Sequence, residues 1–403
     1  MILLSCVFVF MVGSCVGSFL NVLIHRLPRH ISIVRPGSHC PKCNQPISWY
    51  DNIPLLSWLL LRRCCRHCGQ SISVTYPLVE LTSAVVFTLV YTAYMVIGVR
   101  EGMTSLTEGP AAADWAILSL HLWLIAALLA ASAIDLRLSI IPLSVTSLTA
   151  VVAVVVHGVF PQRMLGSISG AGAGLAVAGC LGLVMSAGLL RLGILRPTFG
   201  LAGEDGLARG PRRRKHKASR HSGTPRRRDS SDEAVGGVHP RREILHEIVY
   251  LLPAVALGIG GWFLASGDTS LALRWKTLVV SNAHFNAVMA SLFGLLVAGG
   301  IVWLTRILGT LAFGREAMGL GDVHLMAAAG AVLGCLAPVL AFFIAPFYGL
   351  LAALLTAVRR RQGELPYGPW LSLGLLTVML FQDKIWAYFS PGLEVAWQLL
   401  TGG

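Results

Sequence analysis

Two residue patterns in this 403-residue chain are capable of chemistry. The first is a pair of cysteine knuckles, Cys40-Pro-Lys-Cys43 and Cys65-Arg-His-Cys68, separated by 21 residues, Asn44 through Cys64. Two CxxC pairs present four thiolates to a tetrahedral Zn²⁺, so Cys40, Cys43, Cys65 and Cys68 are the expected ligands of a structural zinc. The spacing is slightly longer than in the commonest zinc ribbon. Cys64 could replace Cys65 only by distorting the knuckle. His39 and His67 flank the knuckles, but four thiolates already close the shell, so both read as bystanders. Cys6, Cys15, Cys180 and Cys335 stand singly in apolar runs and read as small core residues.

The second pattern is a pair of acids at the edges of apolar runs. Asp135 closes ALLAASAIDLRLSIIP and Asp322 opens GREAMGLGDVHLMAAAGA. Acids next to membrane spans are costly and are functional candidates. Two carboxyl groups held close at one depth cannot both ionise, so one becomes a base toward water and the other an acid toward a carbonyl. That is the chemistry of aspartyl proteolysis. The glycines of Gly319-Leu-Gly321-Asp322 permit close backbone approach by an extended peptide. Either acid alone, Asp135 beside Arg137 above all, reads equally well as a helix-end charge at the lipid interface. The pairing, the shared face and the neighbouring cysteine loop favour proteolysis. The alternative of another class is a polytopic transporter or assembly scaffold, with the Asp pair binding protons and the zinc purely structural. It predicts proton flux and no cleavage.

The elements that must position these residues are membrane spans. The chain is 55% hydrophobic and 13% charged, with a mean hydropathy of +0.70. Soluble domains carry about 25% charged residues, and one soluble core cannot hide this much apolar surface. Runs long enough to cross about 30 Å of hydrocarbon fall at 2–24, 78–98, 116–134, 141–160, 168–190, 248–266, 286–308, 322–357 and 366–382. The run 322–357 is long enough for two spans, with Pro338 and Pro346 inside it. The expected fold is therefore an all-α polytopic integral membrane protein of about 8–10 transmembrane helices, with a small cytoplasmic zinc-binding loop domain.

The net charge of +13 is concentrated in two blocks. Residues 25–77 carry seven basic residues and one acid, and residues 196–243 carry thirteen basic residues and six acids; elsewhere the charges cancel. The first run has no basic residues ahead of it and carries its positive charge behind, at His25-Arg26-Leu-Pro-Arg29, unlike a signal peptide. By the positive-inside rule it delivers 25–77 to the cytoplasm. The same topology places the 193–247 block, the segment around Arg306 and Arg315, and Arg359-Arg360-Arg361 on that side. It also places Asp135 and Asp322 there, although neither acid was used to set it.

The expected organisation is a first transmembrane helix at 1–24, a cytoplasmic tetra-Cys zinc module at 25–77 and transmembrane helices including Asp135 at 78–192. A basic disordered cytoplasmic insertion follows at 193–247, then transmembrane helices including Asp322 at 248–382 and a C-terminal tail at 383–403. The stretch GPRRRKHKASRHSGTPRRRDSSDE cannot bury enough surface to fold and reads first as a solvated linker. Anionic lipid or a partner is its functional alternative. A loop of about 50 residues has too small a core to fold alone, so zinc would fasten residues 38–70. Tethering between two spans argues against nucleic acid as its ligand.

These residues resemble the type IV prepilin peptidase family. The match runs through Gly17-Ser-Phe-Leu-Asn21, Arg26-Leu-Pro28, both cysteine knuckles, Trp49-Tyr50-Asp51-Asn52-Ile-Pro54-Leu-Leu-Ser57-Trp58 and Tyr76-Pro77-Leu-Val-Glu80. It resumes at Ile134-Asp135 with Pro142, then Gly314-Arg-Glu-Ala-Met-Gly-Leu-Gly321-Asp322, and ends near Pro366-Tyr-Gly368-Pro369. The resemblance implies a GxGD aspartyl protease of the bacterial inner membrane with catalytic Asp135 and Asp322, cutting prepilin or pseudopilin leaders after a glycine on the cytoplasmic side. It also implies N-methylation of the new N-terminus with S-adenosyl-L-methionine. No Gly-rich nucleotide loop follows a strand pattern, so no residue is assigned to that cofactor. Presenilin-like GxGD proteases are a rival reading that the cysteine block disfavours. The sequence departs from the family at Leu143, where an acid is usual, and at His324, where lysine is usual. Residues 165–284 read as an insertion.

Overall fold

The computed structural model describes residues 2–100, 102–161, 165–195, 240–358 and 366–401. Among them the secondary structure is helical, with two isolated β-bridges and no strand. The helices are α1 (Ile2–Arg26), α2 (Leu56–Leu60), α3 (Thr75–Tyr91), α4 (Ala112–Leu138), α5 (Leu143–Val159), α6 (Gly170–Arg191), α7 (Pro240–Ser266), α8 (Ser270–Ser281), α9 (Ala283–Phe313), α10 (Leu320–Leu333), α11 (Leu336–Val358) and α12 (Gly368–Thr401). Seven of the described helices are long and apolar enough to cross a membrane, and α5 and α10 are shorter apolar helices. The chain is an all-α polytopic membrane protein, as its composition requires.

The central helix is α4. It packs against α1, α5, α10 and α12, and its buried residues run from Asp114 to Asp135. The pairs α6/α7, α9/α10, α1/α3 and α11/α12 pack alongside one another. Close approach depends on small residues: a Cβ at Gly330 would lie 2.1 Å from the Gly294 carbonyl oxygen, so α9 and α10 touch backbone to backbone as lipid-embedded helices do. Outward faces carry Phe8, Val151, Phe263, Phe347 and similar residues, because lipid tails are as apolar as a core. The same reason corrects the reading of the single cysteines: Cys15 is exposed, and Cys6, Cys180 and Cys335 are only half-buried.

The run 322–357 divides at Gly334, whose φ of +78° ends α10. Pro346 lies inside α11 without ending it. Helix α7 begins at Pro240, eight residues ahead of the expected span, with proline in the first turn where its missing N–H costs nothing. The expected tail 383–403 continues α12 as far as Thr401. Helix α8 was not legible as a span; Thr269 caps it by accepting the Ala272 N–H at 3.2 Å. Most of the basic block 193–247, and Arg359-Arg360-Arg361, lie outside the described residues.

Candidate active site and metal centre

The four expected sulfur ligands converge. The Sγ atoms of Cys40, Cys43, Cys65 and Cys68 all lie within 4.8 Å of one another, and Cys40 and Cys68 are 3.9 Å apart. Zn–S bonds of about 2.3 Å in a tetrahedron set sulfur–sulfur separations of about 3.8 Å, so the cluster can hold a metal ion.

The knuckles are two copies of one device, a repeat that sequence reading missed. Cys40 N–H donates to Gln45 O (2.9 Å) and Asn44 N–H to Cys40 O (2.9 Å). Cys65 N–H donates to Gln70 O (2.8 Å) and Gly69 N–H to Cys65 O (2.9 Å). Asn44 (φ 56°) and Gly69 (φ 65°) take the same left-handed turn, which Asn and Gly tolerate. The bridges His39–Pro46 and Cys64–Ser71 close both loops identically. The signal was present as Cys-x-x-Cys-x-Gln-x-Ile-Ser at 40–48 and again at 65–73. Cys64 therefore matches His39 in position, and the His39 Nδ1 lies 2.9 Å from Gly37 O. The N–H groups of Cys43 and then Lys42 point at the Cys40 sulfur and hold its thiol down to about 6, which favours the thiolate a metal needs.

Residues that carried the resemblance tie this module to the helices. Arg26, buried at the end of α1, donates to Ser32 O (2.9 Å) and Gly37 O (3.2 Å). Glu80 on α3 accepts the Leu55 N–H at 2.8 Å. Asn21 Nδ2 donates to Tyr76 O at 3.0 Å. Asp51 accepts two bonds from Arg66, at 2.8 and 2.6 Å, which hold its carboxyl below the usual range.

The two aspartates also come together. Asp135 lies in the last turn of α4 and Asp322 in the first turn of α10. They are 7% and 6% exposed, so bulk water is largely excluded. Their carboxyl groups lie within electrostatic reach of each other, and Tyr367 is within reach of Asp322. The chain turns after α4 at Ser139 (φ 54°), whose N–H donates to Asp135 O at 2.8 Å. Ile141, just beyond, touches both partner segments: a Cβ at Gly321 would meet Ile141 at 2.8 Å, and one at Gly368 would meet it at 3.3 Å. The Gly368 N–H donates to Asp135 Oδ2 at 3.1 Å, and a Cβ there would fall 2.7 Å from that oxygen. Three distant segments thus meet at one end of the bundle: the α4–α5 corner, the Gly319–Asp322 turn and the start of α12. Gly368 was noted in the sequence only as part of a motif; its backbone donor was not foreseen. Leu143 is exposed and His324 is partly buried one turn into α10.

Residues 11–94 match the bacterial peptidase A24 N-terminal domain, and residues 249–354 match the type IV leader peptidase family. Two separate stretches of the chain thus match leader-peptidase domain models. The first match contains the cysteine cluster and the second contains Asp322; Asp135 lies between them, and the second match takes in the end of the expected 165–284 insertion. A Myxococcus xanthus protein named prepilin leader peptidase/N-methyltransferase is 61% identical over 84 residues, which is 21% of this chain and 25% of that protein. Proteins of the same name from Klebsiella pneumoniae and Vibrio cholerae are 49% and 48% identical over 88 residues, covering 20% of this chain and 39% and 35% of theirs. The matched stretch thus spans between a quarter and two fifths of those relatives' length. No solved structure matches the chain.

Proposed function

We propose that this leader-peptidase-family chain is an intramembrane aspartyl endopeptidase that removes the leader of type IV prepilins or pseudopilins after a glycine. Asp135 and Asp322 are the catalytic pair, and the reaction occurs at the cytoplasmic face of the bacterial inner membrane. The observation that carries this reading is the meeting of the two buried carboxyls beside a turn lined by Gly319, Gly321 and Gly368.

The ionised carboxylate of the pair takes a proton from water as its oxygen bonds to the scissile carbonyl carbon. The protonated partner gives its proton to the carbonyl oxygen. Collapse of the tetrahedral adduct breaks the C–N bond, and the leaving amine takes the proton that came from water. Gly368 N–H orients one oxygen of Asp135.

Cys40, Cys43, Cys65 and Cys68 would hold a structural zinc, which closes its shell with thiolates and fastens the loop between α1 and α3. N-methylation of the new amine with S-adenosyl-L-methionine is proposed from the relatives' printed names alone. Among the described residues no strand leads into a helix, so the Rossmann-type cradle for such a cofactor does not fit, and no residue is assigned to it.

Co-expression with a prepilin bearing a basic leader tests the reading. The wild-type chain is expected to shorten the prepilin, and Asp135→Asn and Asp322→Asn each to leave it uncut. Cleavage by both variants would exclude the aspartyl mechanism.

A further inference from the structure

Arg306 reads in the sequence as a cation at the cytoplasmic end of the run 286–308. In the structure it lies within α9 and is fully buried. A guanidinium out of water needs partners for its N–H groups, and these come from two directions. From α7, Glu247 (2% exposed) accepts from Nη2 at 2.8 Å and from Nε at 3.1 Å, and also from Trp303 Nε1 at 3.1 Å. From the loop ahead of Asp322, Glu316 accepts from Nη1 at 2.5 Å, and the Met318 carbonyl accepts from the same nitrogen.

The same face of α9 grips that loop at the intervening residue. Thr310 Oγ1 accepts the Ala317 N–H at 3.2 Å, and a Cβ at Gly309 would fall 2.7 Å from the Ala317 Cβ. Positions 306, 309 and 310 share one face by helical spacing. Three successive loop residues, Glu316, Ala317 and Met318, are therefore seated on one stripe of one helix, immediately ahead of the turn in which Gly319 O accepts the Asp322 N–H at 3.2 Å. An ion pair that only tied α7 to α9 would not need donors aimed at loop backbone.

We infer that Arg306 is a positioning residue for Asp322, oriented by Glu247, so that α7, the helix leading out of the basic insertion, is part of the machinery that sets the site. This rests on Asp322 being the catalytic carboxylate proposed above. Glu247 lies two residues ahead of the family match, which begins at 249.

The test uses the full-length protein in lipid nanodiscs and compares Arg306→Lys, Glu247→Gln and Glu247→Asp with wild type. Three quantities are measured: kcat and KM for a prepilin, the pH profile of carbodiimide labelling at Asp322, and the thermal unfolding midpoint. Arg306→Lys loses the fork geometry and is expected to lower kcat about 100-fold, the scale of a 1 Å misplacement, with KM within about twofold and a displaced labelling profile. Glu247→Gln is expected to fall about tenfold, with Glu247→Asp recovering most of it. Wild-type kcat and labelling in folded Arg306→Lys and Glu247→Gln would overturn the inference. Should Arg306→Lys fail to fold, Glu247→Gln and Thr310→Val decide by the same readouts. If wild type cuts no prepilin, the peptidase reading fails, while the labelling profile still decides whether Arg306 positions Asp322.

Discussion

The four sulfurs of the cysteine module come from residues 40–68, and the turns that aim them are hydrogen bonds within each knuckle. The two carboxyls come from helices far apart in the chain, and what holds them is tertiary: Ile141 between Gly321 and Gly368, a backbone donor from α12, and a buried arginine beneath the Asp322 loop. The module is a local object that a metal would complete, whereas the aspartate site exists only when the bundle is assembled. One should therefore fail by losing its ion and the other by small displacements of helices.

The largest effect expected from this contrast is on the metal. Cys40→Ser combined with Cys68→Ser should remove the bound ion entirely, because two thiolates remain and structural zinc sites are closed four-ligand shells. Elemental analysis of the purified protein checks this; one zinc per chain in the double variant would contradict the ligand set. The helices should keep their far-ultraviolet dichroism, since they pack chiefly on one another.

A smaller effect is expected at the bundle end. Gly368→Ala puts a methyl 2.7 Å from Asp135 Oδ2, so the oxygen or the start of α12 must move. Prepilin cleavage should drop about tenfold in kcat with full metal content. Unchanged cleavage would mean that the contact at Gly368 does not set the carboxyl geometry.

The smallest effect is expected at the Asp51–Arg66 pair, whose arginine side chain is 55% exposed and whose aspartate is 10% exposed. Its partner holds the Asp51 carboxyl below the usual range, so the pair's support is present above the ordinary aspartate range and is lost as pH falls through the lowered folded-state value. A pair whose arginine stays open to solvent contributes little. Asp51→Asn should leave metal content and cleavage within about twofold of wild type at neutral pH; a large loss of metal would show that the pair does more than brace the second knuckle.

The same contrast explains what could be read from the sequence. Cys40, Cys43, Cys65 and Cys68 were legible because CxxC spacing encodes its geometry locally. The spans were legible because lipid imposes length and apolarity, and the broken run at 322–357 was anticipated as two helices, although Gly334 rather than a proline divides it. Asp135 and Asp322 were legible as acids where acids are costly. The partners of those aspartates were not: Gly368, Ile141 and Arg306 reach them through helix packing, which leaves no mark at fixed sequence offsets. Arg306 was legible only as a topology signal, a cation near a predicted helix end; its burial against Glu247 was not. Sulfur in an apolar run likewise said nothing about depth, because lipid and core are equally acceptable to it.

The most direct test of the central claim is cleavage of a prepilin by purified full-length protein in lipid, with bound metal measured on the same samples. The account predicts that wild type releases the leader at a single glycine, and that Asp135→Asn and Asp322→Asn release none while carrying as much metal as wild type. Cleavage within about tenfold of wild type by either variant would contradict it.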